Sequence, residues 1–260
     1  MGMRLLYPSD PTSPKAVDET YAAEFEAACS AGFRTSIFSV EDFELGVFRP
    51  KPGLEDGETV LYRGWMLSVP RYDLLTQVIK DKGAKAFTST GEYQLCHHLP
   101  MWHATVSEFT ADTVVLARNA DFVEALAALN WPGYFVKDYV KSLNTAGGSL
   151  VATPGEVAAV VSLLEKYRGV VEGGVCVRKR EDFIAGSERR SFVFKGQPFA
   201  IQGEVPFVVA ECAKRIPSPF FSVDTAIRSD GVVRVVELGD GQVSDIKEWD
   251  AAAFVKVLGS

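Results

Sequence analysis

The sequence predicts an α/β protein of two unlike lobes, an open α/β lobe over residues 1–100 and an antiparallel-sheet lobe over residues 101–260. Three observations lead there. Short β-branched runs alternate with segments of helical periodicity as far as about Ser89, and the pattern changes character between about Ser89 and Asp112, where a lobe boundary is expected. Near the C-terminus, Ser222 to Arg228 and Val232 to Glu237 form two apolar runs around Ser229-Asp230-Gly231, small residues suited to a short hairpin loop.

In the first lobe, Met3 to Tyr7 reads as a strand. Ser13-Pro14 then opens a predicted helix over Lys15 to Ala31, with Val17, Tyr21, Phe25 and Ala28 at helical spacing and Gly32 as its C-terminal stop. Thr35 to Val40 and Thr59 to Tyr62 are the next strands, and Arg63-Gly64-Trp65 stands at the end of the second. A helix over Tyr72 to Lys82 stops at Gly83, and Ala86 to Ser89 resumes extended chain. In open sheets of this kind ligands gather at the carboxyl ends of strands, which makes Arg63 a candidate.

Several function classes are disfavoured by what the chain lacks. No apolar run approaches the roughly 18 residues of a membrane span, and Met1 to Pro8 has no long apolar stretch after its start. The expectation is a soluble cytoplasmic protein with no membrane partner. Cys29, Cys96, Cys176 and Cys212 are scattered without metal-ligand or disulfide-framework spacing. A net charge of −7 argues against a nucleic-acid partner. All three histidines, His97, His98 and His103, cluster at a predicted helix end, but no carboxylate or cysteine stands at ligand spacing, so packing or substrate contact is expected there. Neither a phosphate-binding Gly-x-x-x-x-Gly-Lys-Ser/Thr loop nor a Gly-x-Gly-x-x-Gly fingerprint is present.

The second lobe carries the candidate chemistry. Thr113 to Ala117 and Gly133 to Tyr139 read as strands around a helix over Ala120 to Leu129. Lys137 lies inside the second strand, and an ammonium among apolar neighbours needs a partner, for which a phosphate is the expectation. Ser142 to Ser149, with Gly147 and Gly148, is small and backbone-permissive, a composition able to close over phosphates. A helix from Pro154 to Tyr167 leads to an apolar strand that gives way to charge at Arg178 to Asp182. Next, Glu188, Arg190, Phe192 and Phe194 share one strand face, and a short strand follows at Phe199 to Gln202. In the hairpin, Asp224 and Glu237 would face each other, with Asp240 just past the strand end turning back toward the same point. Three hard oxygen ligands suit Mg²⁺.

This order of features, a strand lysine, a glycine-rich loop, a strand ending in a hinge, a Glu-x-Arg strand and an acidic hairpin, resembles the ATP-grasp superfamily. The thirteen-residue spacing from Asp224 to Glu237 is similar to that in D-alanine ligase-like members. Val177-Arg178-Lys179, Glu188-Arg-Arg190-Ser-Phe192-Val and Glu237-Leu-Gly-Asp240-Gly more narrowly resemble the clade defined by one arginine and two lysines, which is itself similar to eukaryotic cell-division-cycle proteins that assist translation-factor assembly. The match covers about Gly133 to Ser244, with the first lobe in the place of a pre-ATP-grasp domain. The resemblance implies that Lys137 contacts the α- and β-phosphates and that Ala146-Gly147-Gly148-Ser149 closes on them. It places Lys179 and Arg178 at the nucleotide, the backbone from Val177 to Arg180 at the adenine edge, and Glu181 or Asp182 at the ribose. Arg190, beside Glu188 on its strand, would reach the γ-phosphate, and Asp224, Glu237 and Asp240 would hold Mg²⁺. Many members carry Asn two residues after the glutamate, where this chain has Gly239. The implied function is an ADP-forming ligase that uses ATP to join a carboxylate to an amine on an amino acid, peptide or protein, with Arg63, Trp65, His97 or His98 on the substrate side. A nucleotide-dependent assembly factor and a small-molecule kinase are the alternatives.

Overall fold

The computed structural model of the chain, which describes residues 2–143 and 148–260, turns the alternation of the first hundred residues into an open parallel sheet. Its elements are β1 (Met3–Pro8), α1 (Ala22–Ser30), β2 (Arg34–Phe38), α2 (Val40–Glu44), β3 (Thr59–Tyr62), α3 (Val69–Asp81) and β4 (Lys85–Ala86), with strand order β2-β1-β3-β4. The helix expected from Lys15 begins seven residues later. Asp10 accepts backbone hydrogen bonds from Thr12 and Ser13, and Asp18 accepts one from Thr20, so these short side chains satisfy the backbone in turns rather than in helix. Gly32, at φ +82°, ends α1 as expected. Val40, expected in β2, instead opens α2, capped by the Ser39 hydroxyl.

Two helices, α4 (Thr90–His97) and α5 (Leu99–His103), carry the chain out of the first sheet. Ser89 and Glu92 form a reciprocal capping box at the start of α4. A second sheet follows, made of β5 (Thr113–Leu116), β6 (Tyr134–Asp138), β7 (Leu150–Val151) and β8 (Val175–Lys179) in the antiparallel order β5-β8-β6-β7. Between its strands run α6 (Phe122–Leu126) and α7 (Val157–Arg168), whose Val157, Val160 and Leu164 pack on Val136, Val175 and Val177.

The third sheet is antiparallel and has the order β10-β9-β11-β12, from β9 (Arg189–Phe194), β10 (Gln197–Phe199), β11 (Phe220–Ile227) and β12 (Val233–Asp240). The strand expected at Phe199 to Gln202 thus ends where it was expected to begin, because Lys195 and Gly196 take positive φ and turn the chain early. Two helices, α8 (Phe207–Arg215) and α9 (Ala251–Leu258), complete the lobe. Strand alternation gives this sheet two buried faces. Phe192, Phe194 and Phe220 meet Phe254 of α9 and the first sheet's Leu5, Tyr7 and Leu61, while Val193, Phe221, Val223 and Leu238 meet α4, α5 and α8 through Cys96, Trp102 and Val209. Each such phenylalanine stabilises the fold by about 1.5–3 kcal/mol relative to exposure, so the two lobes share one continuous core.

Candidate functional site

On the first of those faces, aromatic packing stops short of one end of the sheet and charge takes its place. Arg190 pairs in register with Asp224, and Asp224 pairs in turn with Glu237, so three strands place the three side chains in one row. A bulge between Asp224 and Thr225 interrupts the ladder at this point. Arg190 donates from Nε and Nη2 to the two Asp224 oxygens at 2.8 and 2.7 Å, and from Nη1 to the Asp245 carbonyl and carboxylate at 2.9 and 3.0 Å. Lys247 Nζ reaches Asp224 at 2.9 Å and Glu188 at 2.5 Å. Burial alone would raise the Asp224 carboxyl, but the hydrogen bonds and charge of Arg190, with Lys247, outweigh it and hold the group below the usual carboxylate range.

The second sheet closes over this row. Lys137, almost fully buried on β6, donates to Glu237 Oε1 at 2.5 Å and so links the two antiparallel sheets. Its partner within the chain is this carboxylate. A phosphate entering here would meet Lys137 and Arg190 from opposite sheets.

Asp224 and Glu237, two carboxylates on one face of one hairpin, fit the usual Mg²⁺ donor set, which is completed by water and phosphate oxygens. Asp240 does not join them. The strand runs on through Gly239 to Asp240, which pairs with Phe221, and alternation turns Asp240 to the opposite, helix-covered face. There it is fully buried, its Oδ1 accepts from the Gln242 backbone and side-chain nitrogens at 2.9 and 3.2 Å, and burial pushes its carboxyl up to about 7. Gln242 in turn bonds Tyr62 and Tyr72, so Asp240 belongs to the joint with the first lobe. Gly239 does face the row, but a Cβ there would meet Ser244 Oγ at 2.8 Å and Ser222 Oγ at 3.0 Å, and these hydroxyls fill the space an asparagine would need.

Arg63 is likewise buried in the joint between the lobes. Only 1% exposed, it forks onto Glu24 at 2.8 and 2.7 Å, stacks over Phe254, and donates to the carbonyls of Gly241 and Ser244 at 2.5 and 3.0 Å. Its position at the end of β3 is as expected, but its valences are spent holding the loop that carries Asp245.

A second, mostly apolar cavity opens between the two antiparallel sheets, lined by Phe135, Leu150, Phe183 and the chain from Arg178 to Glu181. Arg178 is buried and committed to the Val236 carbonyl at 2.7 Å and Thr110 Oγ1 at 2.6 Å. Val177 points into the core of the second lobe, and the cavity lining begins one residue later at Arg178. Lys179 is half-exposed, 3.6 Å from Asp112. Glu181 accepts from Arg234 at 2.9 Å and Arg228 at 3.3 Å, and Asp182 from Arg180 at 3.1 Å, so neither acid is idle. Ser149 is buried, its hydroxyl accepting from the Leu143 backbone at 2.9 Å, and Gly148 takes φ +58°. Gly147 and Ala146 lie outside the described residues.

Sequence reasoning missed Asp245 and Lys247, which follow the hairpin in a loop with no local pattern, and Lys141, which lines the pocket beside Arg190 and Glu237 together with His97. Of the other histidines, His98 lies 3.4 Å from Glu172 and His103 bonds the Ala111 carbonyl. Trp65 is half-exposed and donates to Asp18. Among the described residues no group of three or more His, Cys, Asp or Glu side chains is placed to hold a metal by itself.

Residues 97–258, more than half of the chain, match the sequence profile of an ATP-grasp domain, the third family of its clade. The chain belongs to this ATP-grasp family. No curated protein matches it by sequence. Among solved structures, the ATP-grasp fold extends over its whole length. The D-alanine-D-alanine ligase from Coxiella burnetii superposes at a TM-score of 0.65 and 13% identity, covering 100% of this chain and 93% of that one. D-cycloserine synthetase DcsG gives 0.61 and 15%, covering 99% and 98%. The ATP-grasp ligase PsnB, complexed with minimal precursor, Mg and ADP, gives 0.62 and 11%, covering 99% and 97%. These identities establish the ATP-grasp fold, parallel sheet and antiparallel sheets together. No described helix is long and apolar enough to cross a membrane.

Proposed function

We propose that this ATP-grasp protein is an ADP-forming ligase that joins a carboxylate to an amine through an acyl-phosphate. The observation that carries the reading is the convergence of Lys137 from one sheet with Arg190, Asp224 and Glu237 from the other, beside an apolar cavity. That cavity would take adenine, with the backbone of Val177 to Arg180 along its edge and Lys179 at its mouth. Bound Mg²⁺ would offset phosphate charge from the side of Asp224 and Glu237. Lys137 and Arg190 would offset the negative charge on the transferring oxygens, held ready by their present carboxylate partners and therefore needing little reorganisation. A carboxylate oxygen attacks the γ-phosphorus, the bond to the bridging oxygen breaks, and ADP leaves. The amine nitrogen then attacks the acyl carbon, phosphate leaves, and the nitrogen gives up a proton. Positioning and preorganised charge do this work without a protein nucleophile.

PsnB, whose structure holds a precursor with Mg and ADP, supports a peptide among the substrates, and the D-alanine-D-alanine ligase supports an amino acid. Incubation with ATP, Mg²⁺ and an amino-acid and peptide library whose carboxylates carry ¹⁸O tests the reading. Ligation yields an amide together with phosphate bearing one ¹⁸O. A stable phosphorylated product makes the protein a kinase, and nucleotide binding without any product leaves it an assembly factor.

A further inference from the structure

The pocket beside Arg190 and Glu237 contains two groups whose valences the fold leaves open. His97 ends α4 only 7% exposed and with its ring stacked on Tyr93, centroids 4.4 Å apart; the Tyr93 backbone lies near the ring, but neither ring nitrogen has a side-chain partner among the described residues. Burying two such atoms unsatisfied is costly, and native folds accept it chiefly where a ligand supplies the partner. Lys141, just beyond β6, lines the same pocket and has no ion-pair partner among the described residues. The remaining charges are matched: Arg190 is forked onto Asp224 and bonded to Asp245, and Glu237 holds Lys137. What is left over is one ammonium and one imidazole, a set that lacks an anion with lone pairs in two directions. Burial, with Lys141 and His98 nearby, keeps the His97 ring neutral, down to about 3, so in the unliganded chain it carries one N–H donor. Apolar side chains line part of the same pocket: Met66, which is exposed, with Val140, Leu238 and Val243.

We propose that His97 and Lys141 bind the substrate carboxylate that is to be phosphorylated, with the His97 N–H and the Lys141 ammonium on its oxygens and an apolar or aromatic body lying against Met66. The proposal rests on the ligase reading, since it is Arg190 at the γ-phosphate that makes this pocket the place where a carboxylate must wait.

Ligand-observed NMR of 3-phenylpropanoate, in the presence of protein saturated with the non-hydrolysable analogue AMPPNP and Mg²⁺, tests it. The acid is expected to bind at least tenfold more tightly than acetate or 3-phenylpropanamide. His97→Phe, which keeps the ring stacked on Tyr93 and removes both nitrogens, and Lys141→Met, at an exposed position, should each weaken it at least tenfold while AMPPNP binding stays as in wild type. Should His97→Phe fail to fold, Lys141→Met carries the test by itself. Equal binding of acid and amide, no binding of the acid, or wild-type affinity in the folded variants would overturn the proposal. Failure of AMPPNP to bind at all would instead overturn the ligase reading beneath it.

Discussion

The two faces of the β9-β11-β12 sheet carry acids of the same kind to opposite ends. On one face Asp224 is surrounded by Arg190 and Lys247 and stays ionised below its usual range. On the other, three residues along β12 from Glu237, Asp240 has no ion-pair partner among the described residues, and burial pushes it up to about 7. Residue type is constant and burial is similar, so strand parity and the neighbours it selects decide which carboxylate is ready to meet a cation and which is a hydrogen-bonding strut.

Arg190→Ala would break that contrast most severely. It leaves Asp224 buried with Lys247 as its one remaining ion-pair partner among the described residues, so a loss of about 3–5 kcal/mol in the nucleotide-free protein is expected, together with loss of turnover. Urea unfolding of wild type and variant checks the first and product formation the second. Stability within about 1 kcal/mol of wild type, by the same measurement, would mean that the Arg190–Asp224 fork is not a buried pair in solution.

Glu237→Gln sharpens the comparison from the catalytic side. Turnover should fall by about 10²-fold or more, and the Mg²⁺ concentration for half-maximal ATP binding should rise. Because Glu237 neutralises Lys137 rather than only crowding Asp224, the apo protein should be destabilised, by about 1–3 kcal/mol. A Mg²⁺ titration of ATP binding that matches wild type would remove Glu237 from the metal site.

On the opposite face Asp240→Asn should leave that titration unmoved. Its signature is in pH. The unfolded carboxyl titrates near 3.8 and the folded one at about 7, so between these values the native state holds the proton more tightly and Asp240 makes stability fall as pH rises. The variant should flatten this slope between about pH 4 and 7 and match or exceed the wild-type melting temperature at about pH 8. A wild-type pH profile in the variant would show that Asp240 titrates normally.

The facing of Asp224 and Glu237 was legible because hairpin turn chemistry and period-two alternation are local signals, as was the face of Arg190 on its own strand; that β9 pairs with β11 and so brings Arg190 into the row was not. Asp240 was misplaced because the apolar pattern ends at Leu238, while backbone pairing carries the strand two residues further through Gly239. Arg63 could be seen at a strand end, but its partner Glu24 lies 39 residues away on a helix, and nothing local names such a partner. Lys247 and Asp245 reach the site through a loop returning over the sheet. The helices α8 and α9 were passed over, although Asp250 caps α9 and its Phe254, Val257 and Leu258 stand at helical spacing. The lobes' order was therefore readable, and the contacts that join them were not.

Arg63 has a consequence for how such a molecule can be rebuilt. Its fork to Glu24 and its two bonds to the carbonyls of Gly241 and Ser244 make one side chain a rivet through three distant segments of chain. A chimera that grafts another first lobe onto residues 101–260 would lose register at the loop bearing Asp245 unless helix α1, the end of β3 and residues 241–245 were transplanted as a set. The lobes are not interchangeable parts, and the unit on which recombination can act without loss is the whole chain around this one guanidinium.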